Sequence, residues 1–494
     1  MTALDHPARH ADGPERPPER VPFPVVDEVA RHCLQEEEPE TVHIEVHLPG
    51  TPDPARLKAA FDEALRRHPR ILMREARGPW YRRRYEWELT AEPDVEVVTF
   101  PAPERDALKK ARTRSLSQAP PLSASPPIRL EVIAQEGGGA PPASGKGEGT
   151  GNGSAAEGEG SAAAGTGTGD GSERPAGDGS VLFLTINHTA LDGPACLRVL
   201  ATAAELYGGQ DNSPAAPPSR TPTSTDAESS VDVGDAPSGW APPARVSRGT
   251  PEPSPGNGML VAELPVPRRP KGAPFTVNDQ LMVATALMIA HWNREHGARP
   301  KPFRITMPVD DRPRSMDMPI GNGTRLVEVP FSAAELTSKE WGPEDIGALL
   351  RRTADRTRAL KALSRPQLGR GAALLTSPVL PVTLRAAVTR GLRRAAAPWT
   401  STTLLSNIGR VPYSLDFGDA GRAHAVWFSA PARLPRGLTV TTASTAGRLH
   451  VALRWSKTLL SSGDGAHLRD LFEHYLHATE HTEPTEPTEE GKKP

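Results

Sequence analysis

His188 and Asp192, four residues apart in the run NHTALDG (187–193), are the residues of this sequence best placed to do acid–base chemistry. Imidazole titrates near neutral pH, and it serves best when rigid elements hold it and a carboxylate supports it. The flanking residues supply that setting. Val181 to Ile186 is apolar on both faces, which predicts an interior strand delivering His188 at its end. From Pro194 the pattern turns helical, with Leu197, Leu200, Ala201 and Ala204 on one face. Pro194 suits the first helical position, and Gly208-Gly209 supplies the stop. A blander arrangement fits the same residues: Asp192 as an N-cap and His188 as a satisfied strand-end histidine. The rest of the chain bears on the choice.

At 494 residues the chain is long enough for two cores, yet 54 prolines, 44 glycines and 37% hydrophobic residues leave much of its length outside any core. A formal net charge of -2 offers no basic surface for nucleic acid or anionic lipid. No apolar run approaches a membrane span, and the first residues lack the apolar centre of a signal peptide. Two cysteines, Cys33 and Cys196, permit neither a disulfide framework nor a cysteine-rich zinc site. The expectation is a soluble cytoplasmic protein.

The elements that must position the histidine follow from periodicity. Residues 1–21 are Pro- and charge-rich and are expected to be disordered. An N-terminal half spans 22–210, with a half-buried strand at Thr41–Leu48 and a helix after Asp53-Pro54. A Gly/Ala/Ser/Thr/Glu run at about 137–179 separates two strands and predicts an overgrown, unfolded hairpin loop. A Pro/Ser/Thr-rich flexible linker is expected over 211–256. The C-terminal half, 257–479, again reads strand, helix and mixed strands, before a disordered tail at 480–494. The fold class is therefore α/β, an α+β sandwich in two similar halves.

Several runs then match a family in order along the chain: LKAAFDEALRRHP (57–69), NHTALDG (187–193), FTVNDQLMVATA (275–286), MPVDDRPR and GNGT (307–324), STTLLSNIGRVP (401–412) and RLHVALRW (448–455). The chain resembles the chloramphenicol-acetyltransferase-like superfamily, which holds nonribosomal-peptide condensation domains, alcohol acyltransferases and polyketide-associated acyltransferases. The resemblance implies two halves in a V with a tunnel between them and His188 at its midpoint as general base. It implies acyl transfer from a coenzyme A or phosphopantetheinyl carrier-protein thioester to a hydroxyl or amine, in specialised-metabolite biosynthesis. These thioesters are co-substrates; no cofactor and no metal is implied, and the partners are the donor, a small-molecule acceptor and a carrier protein. Asp192 would pair with Arg312 to hold the loop. The Gly193 N–H would steady the oxyanion, with Ser401 and Thr403 as further donors. Asn187 stands where condensation domains carry a first histidine, and Asp416–Gly421 (DFGDAG) lacks the tryptophan of the plant enzymes' second motif. The alternative is a non-catalytic relative that binds a carrier protein or small molecule.

Three other signals have plain readings. His43, Glu45 and His47 share one strand face, as metal ligands would, but fit a solvated face better. Cys196 suits a buried helical thiol rather than an acyl-accepting nucleophile. Arg385, Arg390, Arg393 and Arg394 could meet phosphates or an acidic carrier, but fit a charged helix face.

Overall fold

The computed structural model describes residues 19–135, 179–214, 241–363 (except 314, 316 and 339) and 375–481. In chain order the first elements are β1 (Arg20–Pro22), α1 (Val25–His32), β2 (Thr41–Leu48), α2 (Pro54–Arg67), β3 (Met73–Glu75) and β4 (Glu86–Leu89). β5 (Val98–Thr99), α3 (Ala107–Ser117), β6 (Ile128–Ala134), β7 (Ser180–Asn187) and α4 (Gly193–Gly208) follow. The later residues form β8 (Asn257–Pro265), α5 (Val277–Glu295), β9 (Phe303–Asp310), β10 (Thr324–Phe331), α6 (Pro343–Ala362) and α7 (Val382–Ala396). β11 (Thr403–Arg410), β12 (Ala425–Ser429), β13 (Leu438–Thr445), β14 (Arg448–Ser456) and α8 (Ser462–Ala478) complete the described elements.

Two mixed sheets carry the two lobes. The first has the order β12-β2-β7-β6-β5, so the strand that delivers His188 is central, and each of its residues is buried. α2 and α4 cover one face of it; Leu57, Phe61 and Leu65 meet Leu197, Leu200 and Ala204 in one apolar core. The second sheet, β10-β9-β11-β13-β14-β8, is covered by α5, α6 and α8, whose Leu281, Trp292, Leu350 and Phe472 form a separate core. α8 begins with a capping box: Ser461 Oγ accepts the Asp464 N–H at 3.2 Å, and Asp464 Oδ2 accepts the Ser461 N–H at 2.8 Å. A small sheet, β1-β4-β3, lies beside the first lobe.

The structure corrects four sequence expectations. Ordered chain begins earlier than residue 22, because Arg20 to Pro22 pair with Glu88 to Glu86. Residues 241–256, assigned to the linker, lie against the second lobe: Ala244 and Val246 are buried, and Trp292 Nε1 donates to the Ser247 carbonyl at 2.9 Å. Extended backbone with alternate side chains inserted needs no strong periodicity, so composition alone hid this segment. The halves do not divide cleanly at 257 either. β12 leaves the second half and pairs antiparallel with β2, and Leu415, Phe417 and Val426 fill the first core. Finally, β2 is buried on both faces rather than solvated on one, because α3 packs on the side carrying His43, Glu45 and His47 and the Trp427 ring of β12 lies beside His47. The expected loop at 137–179 falls outside the described residues except at its closing end, where Gln135 N–H donates to the Gly179 carbonyl at 2.8 Å. The tail is described only at Glu480 and His481, and Glu480 accepts the Arg268 N–H at 2.7 Å.

Candidate active site

The NHTALDG turn is built by its own side chains. Asn187 Oδ1 accepts the Thr189 N–H at 3.1 Å, and its amide donates to the Pro120 carbonyl at 2.8 Å. An Asx-type bond of this kind bends the chain sharply after a strand. Asn187 is thereby committed to the turn. The His188 N–H donates to the Glu40 carbonyl at 2.8 Å, which fixes its backbone to the segment entering β2. Its ring Nδ1 lies 3.0 Å from the Leu191 carbonyl. A carbonyl only accepts, so Nδ1 carries the proton and Nε2 presents a lone pair. The half-buried ring is thus held as the tautomer that can receive a proton at Nε2.

Asp192 turns away from that ring and divides its carboxylate. Oδ1 caps α4 by accepting the Ala195 N–H at 3.0 Å, so the N-cap reading is correct as far as it goes. Oδ2 accepts Arg312 Nη2 at 2.7 Å and the Gly323 N–H at 2.8 Å, so the residue also ties the two lobes together. Arg312 is held from every side. Nε and Nη2 reach Asp310 at 2.9 and 3.1 Å, and Nη1 donates to the Pro319 and Gly321 carbonyls at 3.1 Å each. Burial opposes its charge, but Asp310 and Asp192 outweigh that and raise its pKa above the usual arginine value. Any side chain at Gly323 would collide with the Arg312 guanidinium, which explains the glycine in GNGT.

Sequence reasoning missed Asn322 and Asp27. The Asn322 amide donates to the His188 and Thr189 carbonyls at 3.2 and 3.0 Å and to Asp27 Oδ1 at 3.0 Å. Asp27 Oδ2 accepts Trp87 Nε1 at 2.9 Å, and burial pushes the Asp27 pKa up to about 6 against the pull of these partners and of His188. GNGT was a visible signal for Asn322; Asp27 had none, since it enters from a short helix far away in sequence.

The remaining predicted residues are placed less simply. Gly193 is the first residue of α4, where an N–H has no intrahelical acceptor. A Cβ there would stand 3.4 Å from the Phe428 ring, ordinary contact, so packing alone does not demand glycine. Thr403 donates its hydroxyl to the Leu438 carbonyl at 2.8 Å, so its proton is committed within the sheet. Ser401 Oγ lies 2.6 Å from Thr306 Oγ1 and accepts Arg436 Nε at 3.2 Å. Cys196 is fully buried, and burial followed by Asp192 raises its pKa well above the ordinary thiol value, which disfavours the thiolate. Glu45 is no metal ligand in waiting. Burial would raise its pKa, but His43, then His47 and the two-bond clasp of Arg112, at 2.9 and 2.7 Å, hold it well below the carboxylate range. Of the basic stretch, Arg385 is buried and pairs with Glu28 at 2.8 Å, correcting its assignment to an exposed helix face. Arg390 and Arg394 do lie on the exposed face of α7.

No protein-family profile matches the sequence. The chain is similar to the uncharacterized protein Rv2305 of Mycobacterium tuberculosis, 26% identical over 424 residues that take in 80% of this chain and 84% of that one. Among solved structures it is similar to the TRI3 trichothecene 15-O-acetyltransferase of Fusarium sporotrichioides (TM-score 0.59, 12% identity, 93% of this chain and 95% of that one). It is similar also to the first condensation domain of the CDA synthetase (TM-score 0.58, 13% identity, 95% and 98%) and to the condensation domain of the monacolin K polyketide synthase MokA (TM-score 0.56, 13% identity, 93% and 97%). With its two sheet-and-helix lobes joined at the histidine turn, the chain has the chloramphenicol-acetyltransferase-like fold that condensation domains and this O-acetyltransferase share.

Proposed function

We propose that this chain is a condensation-type acyltransferase that moves an acyl group from a coenzyme A or carrier-protein thioester to a hydroxyl or amine acceptor, in the making of a specialised metabolite. The observation that carries the reading is the His188 tautomer: Nδ1–H on the Leu191 carbonyl leaves Nε2 free to take a proton. In the reaction Nε2 takes the acceptor's O–H or N–H proton as the acceptor's electron pair attacks the thioester carbonyl. The tetrahedral oxyanion then re-forms its C=O bond, the C–S bond breaks, and the leaving sulfur receives the proton from Nε2. The first-turn N–H of Gly193, at the positive end of α4, is our donor for the oxyanion. Asp192, Arg312, Asn187 and Asn322 hold the turn and touch no reacting atom. The fold shared with an O-acetyltransferase and with condensation domains supports the reaction class.

The test follows free thiol release from acetyl-coenzyme A with simple alcohol and amine acceptors. His188→Ala is expected to lower turnover ~10²–10⁴-fold while thioester binding changes little. Turnover of the parent is expected to fall as pH is lowered, because a protonated imidazole has no lone pair to offer. Full transfer by His188→Ala would remove the base from the scheme. A parent that bound an acyl carrier tightly but released no thiol with any acceptor would instead be a binding module.

A further inference from the structure

Arg436, in the loop between β12 and β13, is a half-buried cation that makes no ion pair among the described residues. Nε donates to Ser401 Oγ at 3.2 Å and Nη2 to Thr306 Oγ1 at 3.4 Å, and the two hydroxyls lie 2.6 Å apart. Among the described residues no carboxylate comes within ion-pair distance of it, and Nη1 has no hydrogen-bond acceptor. Glu328 and Glu40 favour its charge from a distance, but Glu328 pairs with Arg304 at 3.4 Å and Glu40 with Arg433, while Arg433 and Arg393 oppose it. The nearby Arg393 donates to the Cys33 carbonyl at 3.4 Å. Burial is the main cause that draws the Arg436 pKa down to about 10, yet the group stays charged at neutral pH. A guanidinium drawn partly out of water with no ion pair of its own is costly. The place is also close to the candidate site: the same Glu40 that pairs with Arg433 accepts the His188 N–H on its carbonyl, at 2.8 Å.

We propose that Arg436, with the Ser401 and Thr306 hydroxyls, is a subsite for an oxyanion carried by one of the two substrates. The free edge of the guanidinium suits a carboxylate or phosphate group, which would supply a counter-charge, and the one hydroxyl proton not spent between Ser401 and Thr306 adds a donor at one side. The inference rests on the acyl-transfer reading for what the ligand is, but not for whether an anion binds. Two sources carry the chemistry: a carboxylate on the acyl chain or acceptor, or a phosphate on the donor's coenzyme A or phosphopantetheinyl arm.

The experiment uses the full chain, with sodium acetate and inorganic phosphate as probes and acetamide as the neutral control, read by thermal melting and by calorimetric titration. The parent is expected to gain stability with one or both anions and not with acetamide. Arg436→Gln is expected to bind the anion about 10–100-fold more weakly. Arg436→Gln should also melt at the same or a higher temperature than the parent when no anion is present, since the substitution removes a buried charge. That last readout separates a ligand-binding arginine from a structural one, whose loss would lower the melting point. His188→Ala should keep the full anion response while losing turnover, so failure of the subsite and failure of the acyl-transfer reading show up separately. A stronger response to acetate assigns the carboxylate source, and a stronger response to phosphate the donor arm. Equal responses in parent and Arg436→Gln, no response in the parent, or a less stable Arg436→Gln would overturn the proposal.

Discussion

At the scale of single residues, the carboxylate of Asp192 performs two separable tasks, and substitution can part them. Asp192→Asn keeps an oxygen able to cap α4 but removes the charge facing Arg312, which would retain Asp310 alone. Breaking a buried ion pair costs about 3–5 kcal/mol when the partner is left alone. With Asp310 still in place, a loss of about 2 kcal/mol is expected on that scale. Asp192→Ala should cost about 1 kcal/mol more, the usual worth of an N-cap. Urea denaturation of the three proteins measures both steps. An Asn variant as stable as the parent would show that the pair with Arg312 does not hold the lobes. Asn187 belongs to the same scale: its side chain satisfies the turn, so a histidine at this position would have to find another way to bend the chain.

At the scale of elements, β6 and β7 bring the two ends of their connection together. The two strands are paired from Ile128 with Ile186 to Ala134 with Ser180, and the Gln135 N–H donates to the Gly179 carbonyl at 2.8 Å. The ends that a loop must join are therefore already at hairpin distance. Since loop closure costs only ~0.6 kcal/mol per doubling of length, shortening the loop should help slightly rather than harm. Replacing residues 138–177 by a two-residue Asn-Gly turn is expected to leave melting temperature and thiol release within error of the parent or better. A deletion that yields insoluble protein would assign that segment a structural part. β12 makes the opposite point. It is a five-residue strand, yet it pairs with β2 and places Phe428 against Gly193, so its loss should unseat the start of α4.

At the scale of the whole molecule, the lobes meet along a line of histidines as well as at Arg312. His47 of β2 stacks edge-on with Trp427 of β12 (ring centroids 4.7 Å apart), and Trp427 meets His450 of β14 at 4.5 Å. Burial is the main cause that lowers the pKa of His43, of His424 and of His450, the last to about 4. In the unfolded chain these groups titrate near 6.5. Between about pH 6.5 and 4 the unfolded state therefore binds more protons, so folding stability is complete above that window and is lost as pH falls through it. Asp27 acts in the other direction. Its folded pKa of about 6 lies above the unfolded value of 3.8, so it favours the fold at acid pH and loses that contribution as pH rises through 6. Glu45, held ionised, stands with the histidines. His450→Phe should flatten the acid limb of a stability profile by on the order of 2–3 kcal/mol between pH 7 and 4. An unchanged slope would mean that His450 titrates freely in the folded protein.

Much of this architecture was legible before any coordinates. Periodicity identified β7 and α4, and Asp53-Pro54 the start of α2, because caps and alternation are local and each residue reports its own surroundings. The spacing of His188 and Asp192 was equally local, and so was the glycine of GNGT. Partner choice was not. Arg312 could be matched to Asp192 only through a family resemblance, and the bonds of Asn322 to the histidine turn, of Asn322 to Asp27 and of Arg436 to Ser401 span 35 to 295 residues of chain. Burial too was decided in three dimensions: Thr41–Leu48 alternates like a half-exposed strand, and its polar face is buried by α3, whose Arg112 and Ser115 reach Glu45 and His43, and by Trp427 of β12 beside His47. Sequence pattern fixes what an element buries against its own lobe, because that choice is written in every turn of a helix and every second residue of a strand. Which distant element closes the other face, and which charges are left without a partner, follows from the assembled chain alone.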